Sequence, residues 1–310
     1  MASPAPTFSS IDDVMERLAR LGYIADRRIA TALFLADRMH KPILVEGPAG
    51  CGKTELAKVA AASLGTELIR LQCYEGLDEA KALYEWEYPK QLLYTQVLRD
   101  KIGEVLAGAA TLREAVERLV AQEDAFFSEN FLLPRPLLRA IRADRRVVLL
   151  IDEVDRAEAE FEAFLLEVLS DFQVSIPELG TIRAAHVPMV ILTSNNAREM
   201  TDALKRRCLY LHLSYPDAAR EQAIVAARLP DAAPALIAEV VRVVQALRRL
   251  DLKKLPSISE TLEWTRALAV LNAEHIDRDL CEQTLNLVLK YEGDLSRARD
   301  ELDRILSARP

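Results

Sequence analysis

Gly47, Gly52, Lys53 and Thr54 stand at the spacing G-x-x-x-x-G-K-[ST], and no other stretch constrains the fold as tightly. That spacing is a Walker A phosphate-binding loop when a strand feeds it and a helix leaves it. Both are expected here. Residues 43–45 are an apolar run, and residues 55–64 are rich in Ala, Leu, Lys and Glu. Backbone N–H groups of such a loop point at phosphates, and the dipole of the following helix favours negative charge at its N-terminus. Gly47, Pro48, Ala49, Gly50, Cys51, Gly52, Lys53, Thr54 and Glu55 are therefore the expected contacts to ATP. Lys53 is expected to reach the β- and γ-phosphates, and Thr54 to offer its hydroxyl to Mg²⁺.

Further polar groups follow apolar runs. Residues 147–151 read Val-Val-Leu-Leu-Ile, the pattern of a strand buried on both faces of a parallel sheet, and Asp152-Glu153 ends it. This is the Walker B arrangement. Asp152 is expected to help position Mg²⁺, and Glu153 to polarise the attacking water. Residues 188–193 form another such strand, ending in Thr193-Ser194-Asn195-Asn196. Ligands in α/β sheets sit beyond the carboxyl ends of strands, so Asn195 is expected to bond the γ-phosphate or the water. Arg206-Arg207 follows in Asp202-Ala-Leu-Lys-Arg-Arg-Cys208. An arginine finger there would act on a neighbouring subunit's phosphate, with an effect of ~10³–10⁵ on rate. That role carries an expectation of a homo-oligomer.

Strands alternating with helices predict an α/β core with a parallel sheet flanked by helices. Val14, Leu18 and Leu21, then Ile29, Leu33 and Ala36, recur at helical spacing before the first strand. Residues 67–73 and 209–213 are further short strands, and 174–186 reads as a hairpin. Residues 1–10 are small and rich in Pro and Ser, a flexible N-terminus. Strand signals stop after Tyr215, so the core is expected over 11–215 and a small all-helical lid domain over 216–310. No sequence repeat is evident. Residues 74–134 are less regular. They hold Tyr74, Tyr84, Trp86, Tyr88 and Tyr94, a strongly charged helical stretch at 96–121, and Phe126, Phe127 and Phe131.

The net charge of −8 argues against a dedicated nucleic-acid binder. Arg242, Arg248, Arg249, Lys253 and Lys254 form a local basic strip, read as a solvated helix face. No apolar run approaches the ~20 residues that span a bilayer, so membrane insertion is not expected. The N-terminus lacks a basic region followed by an apolar one. The four cysteines, Cys51, Cys73, Cys208 and Cys281, show no paired or metal-ligand spacing. A cytoplasmic location with free thiols is the expectation. Cys51, inside the phosphate loop, also raises redox control of nucleotide binding.

This order of motifs, followed by helices, resembles the AAA+ ATPases over essentially the whole chain. The stretches 70–78, 84–86 and 203–208, with the hairpin, resemble the MoxR family and within it the CoxD branch, linked to maturation of carbon-monoxide dehydrogenase. The resemblance implies a hexameric, ATP-driven chaperone that remodels a metalloenzyme such as a molybdenum hydroxylase, often with a von Willebrand factor A domain partner. It implies sensor 1 at Asn195, the finger at Arg206 with Arg207 as alternate, and adenine contacts at Gly22, Tyr23 and Ile24. It also implies a helix 2 insert at 76–92 and a pre-sensor-1 hairpin at 174–186. Both face the pore in relatives, which makes Tyr84, Trp86 and Tyr88 candidate client contacts, against local packing. The lid helix departs from the family. Its sensor 2 Arg would fall near Ser259, and Arg266 stands seven positions later, ~10 Å along a helix axis. The spacing from Lys53 to Asp152 is also long. A nucleic-acid motor or loader on the same fold, and an ATP-gated scaffold with slow turnover, are the alternatives.

Overall fold

A computed structural model describes residues 7–97, 111, 131–177 and 179–307. Helices α1 (Ile11–Arg20) and α2 (Arg27–Met39) precede strand β1 (Ile43–Glu46), and helix α3 (Lys53–Leu64) leaves the loop after it. Strand β2 (Leu68–Gln72), helix α4 (Glu79–Leu83), strand β3 (Tyr84–Trp86) and helix α5 (Tyr88–Val97) follow. Next come strand β4 (Leu132–Pro134), helix α6 (Pro136–Ile141), strand β5 (Val148–Asp152), a 3-10 turn (Val154–Arg156) and helix α7 (Ala159–Asp171). Strands β6 (Gln173–Ile176), β7 (Gly180–Arg183) and β8 (Met189–Ser194), helix α8 (Asp202–Arg207) and strand β9 (Leu209–His212) complete the α/β part. Helices α9 (Ala218–Arg228), α10 (Pro234–Leu247), α11 (Ile258–Val270), α12 (Arg278–Val288) and α13 (Glu292–Ser307) close the described chain. The charged helix expected over 96–121, Phe126 and Phe127 lie largely outside the described residues, as do residues 1–6 and the side chain of Tyr94.

The main sheet has five parallel strands in the order β2-β5-β8-β1-β9. Successive residues point to opposite faces, and here both faces are apolar. Leu44, Leu149, Ile151, Val190 and Leu192 join one cluster with α6, α7 and α8. Ile43, Val45, Val148, Leu150 and Ile191 join another with α1, α2 and α3. This two-sided burial is why the strands read as unbroken apolar runs. Parallel register brings the carboxyl ends of β1, β5 and β8 to one edge. Glu46 pairs with Ser194, and Gln72 with Asp152.

Among the described residues, two antiparallel ribbons sit outside this sheet. β6 and β7 form the expected hairpin, Val174 opposite Ile182. β3 and β4 form the other, Trp86 opposite Leu132. It divides the candidate client aromatics. Tyr84 and Trp86 pack against the core and meet edge to face, their ring centroids 5.9 Å apart. Tyr88 is 65% exposed, near the exposed Leu92 and Leu93 of α5.

No strand occurs among the described residues after β9. The helices there have a core of their own around Trp264, whose ring nitrogen donates to Thr284 Oγ1 at 2.8 Å. The basic strip is a solvated face only in part: Arg249, Lys253 and Lys254 are exposed, whereas Arg248 is drawn inward. Arg248 is buried against the carboxylate of Glu221 and lies over the Tyr215 ring, 4.7 Å from its centroid. Arg242 donates to the Ile305 carbonyl at 2.7 Å, and Lys253 sits over Tyr291. The buried carboxylate of Glu221 holds Arg248 there, because an unpaired charge in a dry core is costly.

One long-range ion pair tethers the start of the chain. Asp37 and Arg146 are both buried and paired, and Asp37 Oδ2 also accepts the Phe8 N–H at 2.9 Å. Removing one partner of a buried pair strands the other charge. Asp37→Ala is expected to lower unfolding stability by about 3–5 kcal/mol, read from urea melts. Loss of the exposed Glu16–Arg20 pair should cost about 0–1 kcal/mol.

Candidate functional site

The loop between β1 and α3 holds shapes that a side chain would block. Gly47 has φ +154°, and a Cβ there would stand 2.0 Å from the Leu213 carbonyl oxygen. Gly50 has φ +73°, and its Cβ would stand 2.3 Å from Ser257 Oγ. One glycine thus lets the loop pass the end of β9, and the other lets it touch the N-cap of α11. Ser257 anchors that cap with Glu260 in a capping box.

Lys53 is buried. Its Nζ donates to the carbonyls of Gly47 and Pro48, each at 2.7 Å. Burial pushes its pKa below the usual lysine range, against the pull of Cys51 and the carboxylates of Asp155, Asp152 and Glu153. Burial likewise pushes the Cys51 thiol up. All four cysteines are buried and free, and burial raises Cys73 and Cys208 to about 12.

Asp152 is the meeting point. Its Oδ1 accepts from Thr54 Oγ1 at 3.1 Å and from Thr193 Oγ1 at 2.5 Å. Its Oδ2 accepts from Arg70, Nε at 3.0 Å and Nη2 at 2.6 Å. Thr193 also accepts the Glu153 N–H at 2.9 Å. Glu153 lies in the left-handed region, φ 56°, a conformation uncommon for a side-chain residue and sustained by its surroundings. Its Oε2 accepts from Gln72 Nε2 at 3.1 Å and Arg156 Nη1 at 3.0 Å.

Lys53, Thr54, Asp152, Glu153 and Thr193 line a cavity of about 610 Å³ between the sheet edge and the helices that follow. Of the expected nucleotide contacts, Gly22, Tyr23, Ile24, Ala49, Gly50, Cys51, Gly52, Lys53, Thr54 and Glu55 line it. Gly47 and Pro48 do not, and instead accept the Lys53 ammonium. Asp152, Glu153 and Asn195 line it as well. Arg206 and Arg207 are absent from its lining and stand exposed at the end of α8.

The cavity also takes residues from the later helices. Arg220 donates to the Ile24 carbonyl at 3.2 and 2.9 Å and pairs with Asp26 at 3.1 Å. Arg228 pairs with Glu55. Burial tends to raise Glu55, but bonding to Arg228 and the charges of Arg228 and Lys58 hold it below the usual carboxylate range. Ser259, Leu262 and Arg266 of α11 line the cavity together. Positions three, four and seven apart share a helix face, and α11 runs along the opening. The displacement of Arg266 from the expected position therefore does not remove it from the site.

Thr193, Arg70 and Gln72 were not singled out as site residues from sequence. Arg70 and Gln72 do carry a signal, polar residues at alternate positions of a short strand. Its meaning depends on β2 pairing with β5, which no local pattern reveals.

Residues 42–208 match the family model described as AAA domain (dynein-related subfamily). The chain is similar to the denitrification regulatory protein NirQ of Stutzerimonas stutzeri, 27% identical over 228 residues, spanning 71% of this chain and 68% of that protein. It is also similar to an uncharacterized protein of Staphylococcus haemolyticus, 27% identical over 250 residues, 78% of this chain and 80% of that one. Among solved structures, the Thermotoga maritima RuvB Holliday junction branch migration motor aligns with a TM-score of 0.46 at 17% identity, covering 96% of this chain and 78% of that one.

Thr193→Val keeps the shape of this side chain and deletes the hydroxyl that holds Asp152 and the Glu153 N–H. Nucleotide turnover is expected to fall about tenfold or more, the equivalent of ~1.4 kcal/mol on the barrier. Steady-state phosphate release checks this, with circular dichroism to show an intact fold.

Proposed function

The chain belongs to the AAA-domain family, dynein-related subfamily, and from that premise we propose that it is a MoxR-type ATPase that remodels a protein client. As a member of that family it binds nucleotide and hydrolyses ATP. The carrying observation is that residues 49–54 of the Walker A loop, Asp152, Glu153 and Asn195, distant in sequence, line one cavity.

In this reading the loop amides and Lys53 hold the phosphates, and Tyr23 and Ile24 supply an apolar surface for the base. Thr54 and Asp152 present hard oxygen donors within hydrogen-bond reach of each other, a set that fits Mg²⁺. When bound, the ion would neutralise charge on the β- and γ-phosphate oxygens. Glu153 orients and polarises the water, steadied through Oε2 by Gln72 and Arg156. Asn195 offers its amide to the γ-phosphate or the water. Arg266 faces the same cavity from α11, which supports turnover over the ATP-gated scaffold.

Arg206 and Arg207 are exposed and outside their own subunit's cavity, which supports a finger supplied to a neighbour in a homo-oligomer, a hexameric ring by resemblance. Tyr88 and Leu92 of the insert and the adjoining Leu93 are exposed apolar groups and our choice for client contact. The client is proposed to be a metalloenzyme, in the CoxD-like reading a molybdenum hydroxylase, with a von Willebrand factor A domain partner. A denitrification regulatory protein among the relatives is compatible with service to a redox enzyme. Burial of Arg248 against Glu221 shortens the basic strip, and with the net charge of −8 this weighs against a nucleic-acid motor. Free buried thiols support a reducing compartment such as the cytoplasm.

Glu153→Gln is expected to retain ATP while losing turnover by ~10²–10⁴; equal loss of binding and turnover would contradict the assigned role. Subunits carrying Arg206→Ala and subunits carrying Lys53→Ala, each inactive alone, are expected to recover phosphate release when co-assembled. Failure to recover in confirmed mixed rings rules out a finger acting between subunits.

A further inference from the structure

The turn after β5 carries a second carboxylate for which the chemistry above has no use. Asp155 is 4% exposed. Its Oδ2 accepts two main-chain N–H groups, from Asn195 at 3.1 Å and Ala197 at 2.8 Å. Its Oδ1 is buried and has no hydrogen-bond partner among the described residues. A buried carboxylate is costly to keep, and here it is aimed at the backbone of the loop that bears Asn195.

That loop needs holding. Asn196, between the two donors, adopts φ 61°, a region side-chain residues occupy only when their surroundings over-determine it. Ser194 Oγ accepts the Asn196 N–H at 3.0 Å. Farther along, Arg198 donates to the Ala157 carbonyl at 2.7 Å and pairs with Glu162. Glu162 Oε2 also accepts the Thr201 N–H at 3.0 Å. The segment after β5 and the segment after β8 are thus joined at two levels. The Arg198 and Glu162 level lies beyond the cavity lining. The Asp155 level grips Asn195, which lines it, and stands two residues after Glu153.

We propose that Asp155 is a positioning residue: it sets the reach of the Asn195 side chain by fixing its main chain, and so registers Asn195 against Glu153 for hydrolysis. Bonds from two N–H groups to an ionised oxygen are stronger than neutral ones, and both converge on one atom. The inference rests on the role proposed for Asn195.

The test compares steady-state kinetics of the full-length, assembled protein with MgATP for Asp155→Ala, Asp155→Asn, Asn195→Ala and the Asp155→Ala/Asn195→Ala double variant. A misplacement of ~1 Å can cost ~10² in rate. Asp155→Ala is expected to lower kcat about 10²-fold while KM for ATP stays within about threefold. Asp155→Asn retains an oxygen for both donors and recovers most of that loss. Added to Asn195→Ala, Asp155→Ala lowers kcat by less than about threefold more, as residues acting as a unit do. If Asp155→Ala loses its fold by circular dichroism, Asp155→Ser, too short to serve both donors, takes its place with the same expectation.

The inference is overturned by unchanged kcat in Asp155→Ala, by failure of Asp155→Asn to recover turnover, or by losses that multiply in the double variant. An unchanged kcat in Asn195→Ala overturns both this inference and the underlying role of Asn195. Slow Asn195→Ala with normal Asp155→Ala removes this inference alone.

Discussion

The carboxylate of Asp152 organises the site. It is buried at the end of a central strand, where an uncompensated charge would cost several kcal/mol. Thr54 from α3, Thr193 from β8 and Arg70 from β2 each supply a donor. The same contacts fix the start of the phosphate-loop helix and the ends of the two neighbouring strands against β5. Thr193 then passes the constraint on by accepting the Glu153 N–H. The left-handed conformation of Glu153 is held through that bond, while Gln72 and Arg156 hold its side chain.

A second buried carboxylate plays the equivalent part in the helical region. Glu221 accepts from Arg248 at 2.6 and 2.7 Å, from Gln245 at 2.7 Å and from Thr261 at 2.7 Å. It joins α9, α10 and α11 at their shared interior. Arg248 lies over Tyr215, whose hydroxyl reaches the Ala49 carbonyl at 3.4 Å. Ser257, capping α11, abuts Gly50. The helical region therefore touches the phosphate loop through one polar chain and one steric contact. Arg220 and Arg228 reach across the same cavity to Ile24, Asp26 and Glu55. A change in the loop has short routes into the helices, made of packed and hydrogen-bonded groups.

Much of this was legible residue by residue. The buried strands announce themselves because a parallel sheet covered on both faces requires unbroken apolar runs. The β6–β7 hairpin is legible because its partners are close in sequence. The β3–β4 ribbon was not, since its strands come from opposite ends of the irregular 74–134 stretch and pairing them is a non-local event. One member of the basic strip departs from a solvated face for a related reason. Arg248 looks like a surface residue until Glu221, in another helix, draws it inward. Arg266 was discounted from its position along the helix, whereas the direction of α11 across the cavity puts it in the lining.

The parallel α/β core, the phosphate loop and the polar residues at the strand ends are all readable from the amino-acid order. Each depends on local patterns, a glycine spacing or an apolar run and what ends it. Tertiary structure alone decided which polar groups satisfy one another: Arg70 and Thr193 on Asp152, Gln72 on Glu153, Asp155 on the Asn195 loop. It also left Arg206 and Arg207 exposed and outside the cavity lining. The reason is physical. Hydrogen bonds between strand ends are set by sheet order and register, and these emerge when the whole core packs.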